Sequence, residues 1–412
     1  MNFCRELMQG FDKTDRRFML WGLAFLFILI TVSYSLTNIF YYPVSIYGDV
    51  GEYNALLNSD TCAFIVGDEF VIINAQQNDV RNILFGVVNM PFGLMARLLS
   101  NLFFFVPHAY PYFLALVMGA LLLAGIVMLG KIIEKKGLPK LPFMLAMLFS
   151  FPTLFNLLNI EQYSLSVFWI MILLYSYIFR RTDRLLCYIG ATGSICTTGI
   201  LLPLILEPGE KKIAGTVRVL LHAMLTAACV FVVFGFLSYF AHSLLNEISN
   251  WVGSNSVSLG ARLLQFFNAV SSFFVMPRMR IVSYYICDIA YDTAPVQSLN
   301  IAGCALFAMA VLGFVLDRKD SYARICASWV LLSVFVMVIV GWGAPQSCMP
   351  LYGPYFSWAY ISLVYIELNA LLSRLPDKTR SVIQYALAIG LFAINIYKMS
   401  DIFSFALTYY PA

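Results

Sequence analysis

Charge is scarce in this chain: Asp, Glu, Lys and Arg make up only 12% of its 412 residues, against roughly a quarter in a soluble globular domain. Beside 61% hydrophobic residues, that scarcity excludes a soluble fold and implies a polytopic membrane protein embedded over nearly its whole length. Histidine is scarcer still, with 3 in all, scattered at His108, His222 and His242. No Cys-x-x-Cys occurs, and most of the 9 cysteines (Cys187, Cys196, Cys229, Cys304 and Cys326 among them) lie in apolar runs as small hydrophobes. No metal centre and no cofactor is therefore expected. Cys62, Cys287 and Cys348 fall on the outer side, which leaves a disulfide among them open. The chain also lacks an internal repeat, so an inverted-repeat transporter finds no support. Its net charge of +4 is spread over many loops and does not point to nucleic acid.

What charge there is carries the topology. Twenty of the 26 Lys and Arg residues fall in six short stretches, 5–17, 131–140, 180–184, 211–218, 318–324 and 374–380, separated by long apolar segments. Short basic loops stay on the cytoplasmic side, so all six are expected on one face of a membrane. The other face keeps Arg81, Arg97, Arg262, Arg278, Arg280 and Lys398. An outward basic residue runs against this bias and needs a reason.

Spans of about 20 apolar residues give about nine crossings in an all-α chain. These are 19–40, 110–130, 141–158, 165–179, 219–241, 299–316, 325–343, 355–372 and 381–398. The whole of 1–412 is read as a single membrane domain. Residues 1–18 form a retained cytoplasmic tail, because no small-residue cleavage site precedes the first apolar run. Residues 41–109 form an outer loop. Within it, 83–106 contains Pro91, Gly93 and Arg97 and reads as helices lying in the outer interface, since a crossing there would move 131–140 outside. Residues 242–298 form a second outer segment, and the C-terminus lies outside. The stretch 185–206 is one helix long but basic at both flanks. A re-entrant pair of half-helices satisfies both facts, and a single span is the alternative.

The outer face holds the candidate chemistry. Asp49 and Glu52 follow the first helix by about ten residues, at headgroup depth, among Tyr41, Tyr42, Tyr47 and Tyr53. A carboxylate so shielded suits a general base that activates an acceptor hydroxyl; most acids in such a loop are simply solvated, as Asp60, Asp68 and Glu69 are expected to be. Arg81 re-enters the interface with Asp79 two residues before it. It can fork two phosphate oxygens, or pair with Asp79 and lipid headgroups. Arg278 and Arg280 stand two apart beside Pro277 and suit a phosphate head, or trim a loop against anionic lipid. Glu161 sits in the very short turn 159–164, where a charge is costly unless it is used. Arg97 is expected to trim an amphipathic helix, and Glu367 to snorkel or pair with Arg374.

These residues resemble the GT-C class of membrane glycosyltransferases, and in layout the phage-borne O-antigen glucosyltransferases of serotype conversion. The resemblance rests on a cytoplasmic N-terminus, an acid in the first outer loop with Tyr a few residues on (Asp49 and Tyr53 in GDVGEY), interfacial helices after it, and a re-entrant segment after the fourth span. It departs in its short outer tail, DIFSFALTYYPA. The resemblance implies a hexosyltransferase of the bacterial inner membrane with its site on the periplasmic face. Its donor would be a hexose such as glucose on undecaprenyl phosphate, its acceptor O-antigen or another surface glycan, its other partners membrane lipids. Two alternatives remain: an O-antigen polymerase, which would want Arg and His in a late outer loop, and a lipid-linked oligosaccharide flippase or transporter, which would want mid-helix charges.

Overall fold

The computed structural model describes residues 10–41, 85–179, 190–191, 214–215, 217–218, 221, 225, 257–277, 279–281, 289–291, 298–344 and 349–412. The described chain is helical apart from one short hairpin. Its helices are α1 (Lys13–Leu36), α2 (Phe85–Leu102), α3 (Ala109–Lys135), α4 (Lys140–Phe149), α5 (Phe151–Leu158), α6 (Tyr163–Phe179) and α7 (Leu259–Ser272). After them come strands β1 (Met279–Ile281) and β2 (Ile289–Tyr291), then α8 (Ile301–Leu316), α9 (Ser321–Val334), α10 (Gly353–Leu371) and α11 (Asp377–Tyr409). Arg280 pairs with Ala290 in the antiparallel hairpin.

Among the described residues five helices are long and apolar enough to cross a membrane: α1, α3, α9 with its π-helical continuation Phe335–Val340, α10 and α11. The pair α4–α5, bent by 59° at Ser150, makes a sixth. Helices α6 and α8 are apolar but shorter, and coincide with two more of the expected crossings. The expected span 219–241 and the stretch 185–206 fall almost wholly outside the described residues.

The chain divides into two compact units. One comprises Met1–Ile30, Thr61–Met128 and Ile160–Ser254; the other comprises Thr31–Asp60, Leu129–Asn159 and Asn255–Ala412. In the first unit, α1 and α3 pack through small residues and ring edges. A Cβ on Gly22 would meet the Leu123 side chain at 3.2 Å, and Phe27 stands edge-on to Tyr112 with ring centroids 6.5 Å apart. Residue numbers rise along one helix as they fall along the other, so the two run antiparallel. The segment 37–108 thus starts and ends at the same end of this pair. Helix α2 meets α6, where Trp169 Nε1 donates to Asn89 Oδ1 at 3.0 Å and Phe92 lies against Phe168 and Trp169. Its opposite face leaves Met90, Leu94, Leu98 and Leu102 exposed, an apolar stripe at helical spacing suited to lipid.

The second unit is packed by close helix crossings. A Cβ on Gly313 would fall 2.1 Å from the Leu363 carbonyl oxygen and one on Gly303 1.9 Å from that of Phe267, so glycine lets α8 touch the backbones of α10 and α7. Buried hydroxyl and indole groups find partners across α9 and α10: Tyr322 with Ser362 at 2.8 Å, Ser333 with Tyr360 at 2.8 Å, and Trp329 Nε1 donating to the Tyr355 carbonyl at 2.7 Å.

At one end of this unit the expected cytoplasmic loops come together. Lys136 forms ion pairs with Asp317 and with Asp320, the latter at 2.6 Å, and Lys140 reaches Glu134 at 3.0 Å. Tyr365, near the close of α10, donates to the Pro139 carbonyl at 2.7 Å, and Gln384 Nε2 near the start of α11 donates to Asn369 Oδ1 at 2.7 Å. Three basic stretches, 131–140, 318–324 and 374–380, thus gather at one end, as the charge pattern requires. Asp320 also caps α9, accepting from the Ala323 N–H at 3.0 Å. Partial burial works to raise its pKa, but the Lys136 ammonium and the capping N–H outweigh that and hold the carboxyl below its ordinary value.

Candidate functional site at the far end of the second unit

Proline dictates the first feature of the opposite end. Pro152 has no N–H and its ring crowds the preceding turn, so a helix running through 140–158 cannot continue unbroken. Ser150 leaves the helix at φ −65° and ψ 148°, and α5 restarts with Pro152 in its first turn. The break frees main-chain groups that need partners in an apolar interior. Ser150 Oγ donates to the Met147 carbonyl at 2.7 Å, and the Phe151 N–H donates to the Phe274 carbonyl at 3.1 Å.

The segment receiving that bond is held from α11 as well. Asn395, fully buried, donates through Nδ2 to the carbonyls of Phe149 and Phe274, each at 2.8 Å, and accepts the Met276 N–H at 2.7 Å. Lys398 Nζ donates to the Met276 carbonyl at 2.7 Å. Met276 is therefore fixed at both its N–H and its C=O. Pro277 follows, and then the hairpin strand that carries Arg280. Gly353, which opens α10, lies against Pro152 and Phe273 on the same node.

A second anchor holds the exit of α1. Tyr34 donates its hydroxyl to the Leu158 carbonyl, the open C-terminal end of α5, at 3.0 Å. Its ring lies 4.7 Å from that of Tyr41, whose phenol burial pushes up in pKa. Thr37 Oγ1 and the Asn38 N–H both donate to the Tyr410 carbonyl, at 2.7 and 3.1 Å, and Thr37 pairs with Pro411 as an isolated β-bridge. The loop bearing Asp49 leaves from this anchor, eight residues after Tyr41, and the strand bearing Arg280 leaves from the Met276 anchor. The two anchors grip opposite ends of α5, seven residues or about 10 Å apart along the helix.

Helix α5 carries a polar line of its own. Ser150, Thr153, Asn156 and Asn159, spaced by three, are all buried, and so are Glu161 and Gln162 in the turn beyond. Asn156 Nδ2 donates to the Pro152 carbonyl one turn before it in α5, at 2.7 Å. A short break between α5 and α6 falls within the expected turn at 159–164, and Glu161 is fully buried there.

Asp49, Glu52, Tyr53, Asp79, Arg81 and Arg278 lie outside the described residues, and Arg280 is described in its backbone alone. Three other basic residues expected on the outer face have structural reasons. Arg97 lies over the Tyr110 ring, 5.5 Å from its centroid. Arg262 Nη1 donates to the Ile339 carbonyl at 2.9 Å, where the π-helical turn ends, and Lys398 holds Met276. The expected pairing of Glu367 with Arg374 is corrected: Glu367 is 7% exposed, forms no ion pair with Arg374, and its Oε2 finds no hydrogen-bond partner among the described residues. Its position about one turn before the end of α10 keeps it inside the packed bundle, where a snorkelling side chain would have reached water. The last helix also outruns its expected limits of 381–398, continuing through Asp401 to Tyr409 and ending against α1. Among the described residues no group of His, Cys, Asp and Glu could hold a metal ion. No known protein family, curated protein or solved structure matches the chain.

Proposed function

We propose that this protein is a membrane glycosyltransferase of the GT-C kind, with about nine spans and a re-entrant pair at 185–206. It moves a hexose from a polyprenyl phosphate to a surface glycan on the outer face of a bacterial inner membrane. The observation that carries the reading is the pair of anchors on α5. The loop with Asp49 and the strand with Arg280 start from opposite ends of one eight-residue helix, at the end of the unit away from the basic loops. In the proposed step the acceptor oxygen attacks the anomeric carbon, and the bond from that carbon to the phosphate oxygen breaks. The carrier phosphate leaves with the bonding electrons. Asp49, with Glu52 as its neighbour, takes the acceptor proton, and Arg81, Arg278 and Arg280 neutralise the departing phosphate.

The test is transfer from polyprenyl-phosphate hexose by Asp49→Asn and Glu52→Gln proteins at matched membrane abundance. Asp49→Asn is expected to lose on the order of 100- to 10,000-fold in rate. Wild-type rates in Asp49→Asn with loss in Glu52→Gln would transfer the role to Glu52, and wild-type rates in both would end the catalytic reading of this loop.

One observation favours transport of a lipid-linked sugar instead: Glu367 is buried within a span, where ionisable residues mark transport paths. Glu367→Gln separates the two. Unchanged transfer by solubilised protein, with sugar delivery lost in sealed vesicles, would assign transport.

A further inference from the structure

We infer that Asn395 is a positioning residue for the carrier-phosphate site: through Phe274 and Met276 it fixes the strand that presents Arg280. The inference rests on the proposed glycosyl transfer and adds to it a residue on the last helix, more than a hundred positions further along the chain. A carboxamide in the middle of an apolar helix is costly to bury unless its groups are satisfied. Asn395 meets that condition only through this arrangement, with both donors on main-chain carbonyls and its acceptor on a main-chain N–H.

The three partners are not equivalent in what they do. Phe149 is the last residue of α4, so its carbonyl belongs to the broken helix. Phe274 and Met276 belong to the segment leading into β1. The same Phe274 carbonyl also accepts the Phe151 N–H from the other side of the break. Asn395 thus ties one lip of the helix break, and the Phe151 N–H the other, to the chain four to six residues ahead of Arg280. Pro277, with its restricted φ, stiffens the short link between Met276 and the strand. A forked phosphate contact tolerates little displacement of the guanidinium, so slack at Met276 is felt as weaker donor binding.

The experiment is a double-mutant cycle on full-length protein in membranes, reading KM for polyprenyl-phosphate hexose and kcat separately. Asn395→Asp keeps the acceptor for the Met276 N–H and turns an acceptor toward two carbonyls. It is expected to raise the donor KM roughly tenfold, the worth of one to two hydrogen bonds, with kcat changed far less. In an Arg280→Ala background the same substitution is expected to add less than about twofold, because a residue acting through Arg280 has nothing left to position. Asn395→Ser, which keeps a hydroxyl donor at lower bulk, gives the same cycle if the Asp variant does not accumulate. Wild-type KM in both Asn395 variants overturns the inference, as does an undiminished effect in the Arg280→Ala background, which marks a general packing role. Wild-type protein that neither transfers hexose nor binds polyprenyl phosphate overturns the glycosyltransferase reading, and this inference with it. Wild-type transfer with an indifferent Asn395 removes only the inference.

Discussion

At the basic end of the second unit, charged side chains meet one another: Lys136 with Asp317 and Asp320, Lys140 with Glu134. At the far end, neutral side chains, together with Lys398, meet the main chain. Asn395, Thr37, Tyr34 and Ser150 are bonded to the backbone of segments where helices break or stop. The difference follows from what each end contains. Short loops between helices expose few unpaired backbone groups and many charges, so ion pairs suffice. A broken helix and two departing segments leave carbonyls and amides that apolar packing cannot satisfy, and each needs a dedicated side chain. Irregular backbone held by specific polar residues is the ordinary construction of a functional site. Loops closed by ion pairs are the ordinary construction of a boundary. The comparison therefore says which substitutions should touch activity and which only stability.

The largest effect that would break it lies at the arginines. Replacing Arg81 or Arg280 by Lys keeps the charge and removes the planar fork, so donor use is expected to fall about 10- to 100-fold with melting temperature unchanged. Steady-state transfer assays at varied donor concentration measure this. Wild-type kinetics in both Lys variants would remove these arginines from the proposed phosphate site.

Next comes a substitution near the basic end that should leave chemistry alone. Gly313→Ala sets a methyl where the Leu363 carbonyl stands 2.1 Å away, so α8 and α10 must separate. A loss of about 1–3 kcal/mol in stability is expected, by the measure of overpacked cores, with kcat preserved in the fraction that remains folded. Thermal melts in detergent beside specific activity check it, and a selective loss of kcat would erase the distinction between the ends.

Smaller still is the clasp on α1. Thr37→Val removes the hydroxyl that donates to Tyr410 and accepts the Ile39 N–H, two bonds worth about 1 kcal/mol each. If the clasp presents the Asp49 loop, transfer falls by more than the melting temperature implies. If stability and activity fall in proportion, Thr37 is ordinary packing.

How far the sequence foretold this arrangement depended on the kind of signal. Apolar length and basic loops located α1, α3, α9 and α10 within a few residues, because hydrophobic thickness and charge bias act on whole segments. The end of α11 was misjudged because Lys398 and Asp401 look like the start of an aqueous tail. In the fold, Lys398 bonds the Met276 carbonyl and the helix runs on. The break at Ser150 was signalled by Pro152, yet the run 141–158 reads as one apolar span by length alone. Asn395 was missed for the same reason. A lone carboxamide hardly lowers the apolar character of its run, although its burial cost should have flagged it. The hairpin at Arg280 is too short for an alternating pattern to register. The candidate acids Asp49 and Glu52, and Arg81, rest on loop position and resemblance, and they lie outside the described residues.

The smallest effect concerns the boundary itself and is read by acid. Asp320 has its carboxyl held below the ordinary value, chiefly against the opposing pull of burial, by Lys136 and the capping Ala323 N–H. A carboxyl whose pKa is lower folded than unfolded contributes stability that is fully present above its unfolded value and lost as pH falls through the folded one. Asp320 is partly exposed, so solvent screening limits the contribution to about 1 kcal/mol or less. Melting temperature should therefore fall as pH drops below the ordinary carboxylate range, and Asp320→Asn should flatten part of that slope. Because Asn still caps a helix, the variant removes the ion pair with Lys136 while sparing the start of α9. Transfer measured at neutral pH should be unaffected. An Asp320→Asn protein with the wild-type acid slope would show that the pair is screened to nothing. One with impaired transfer would mean that the basic end reaches the chemistry after all.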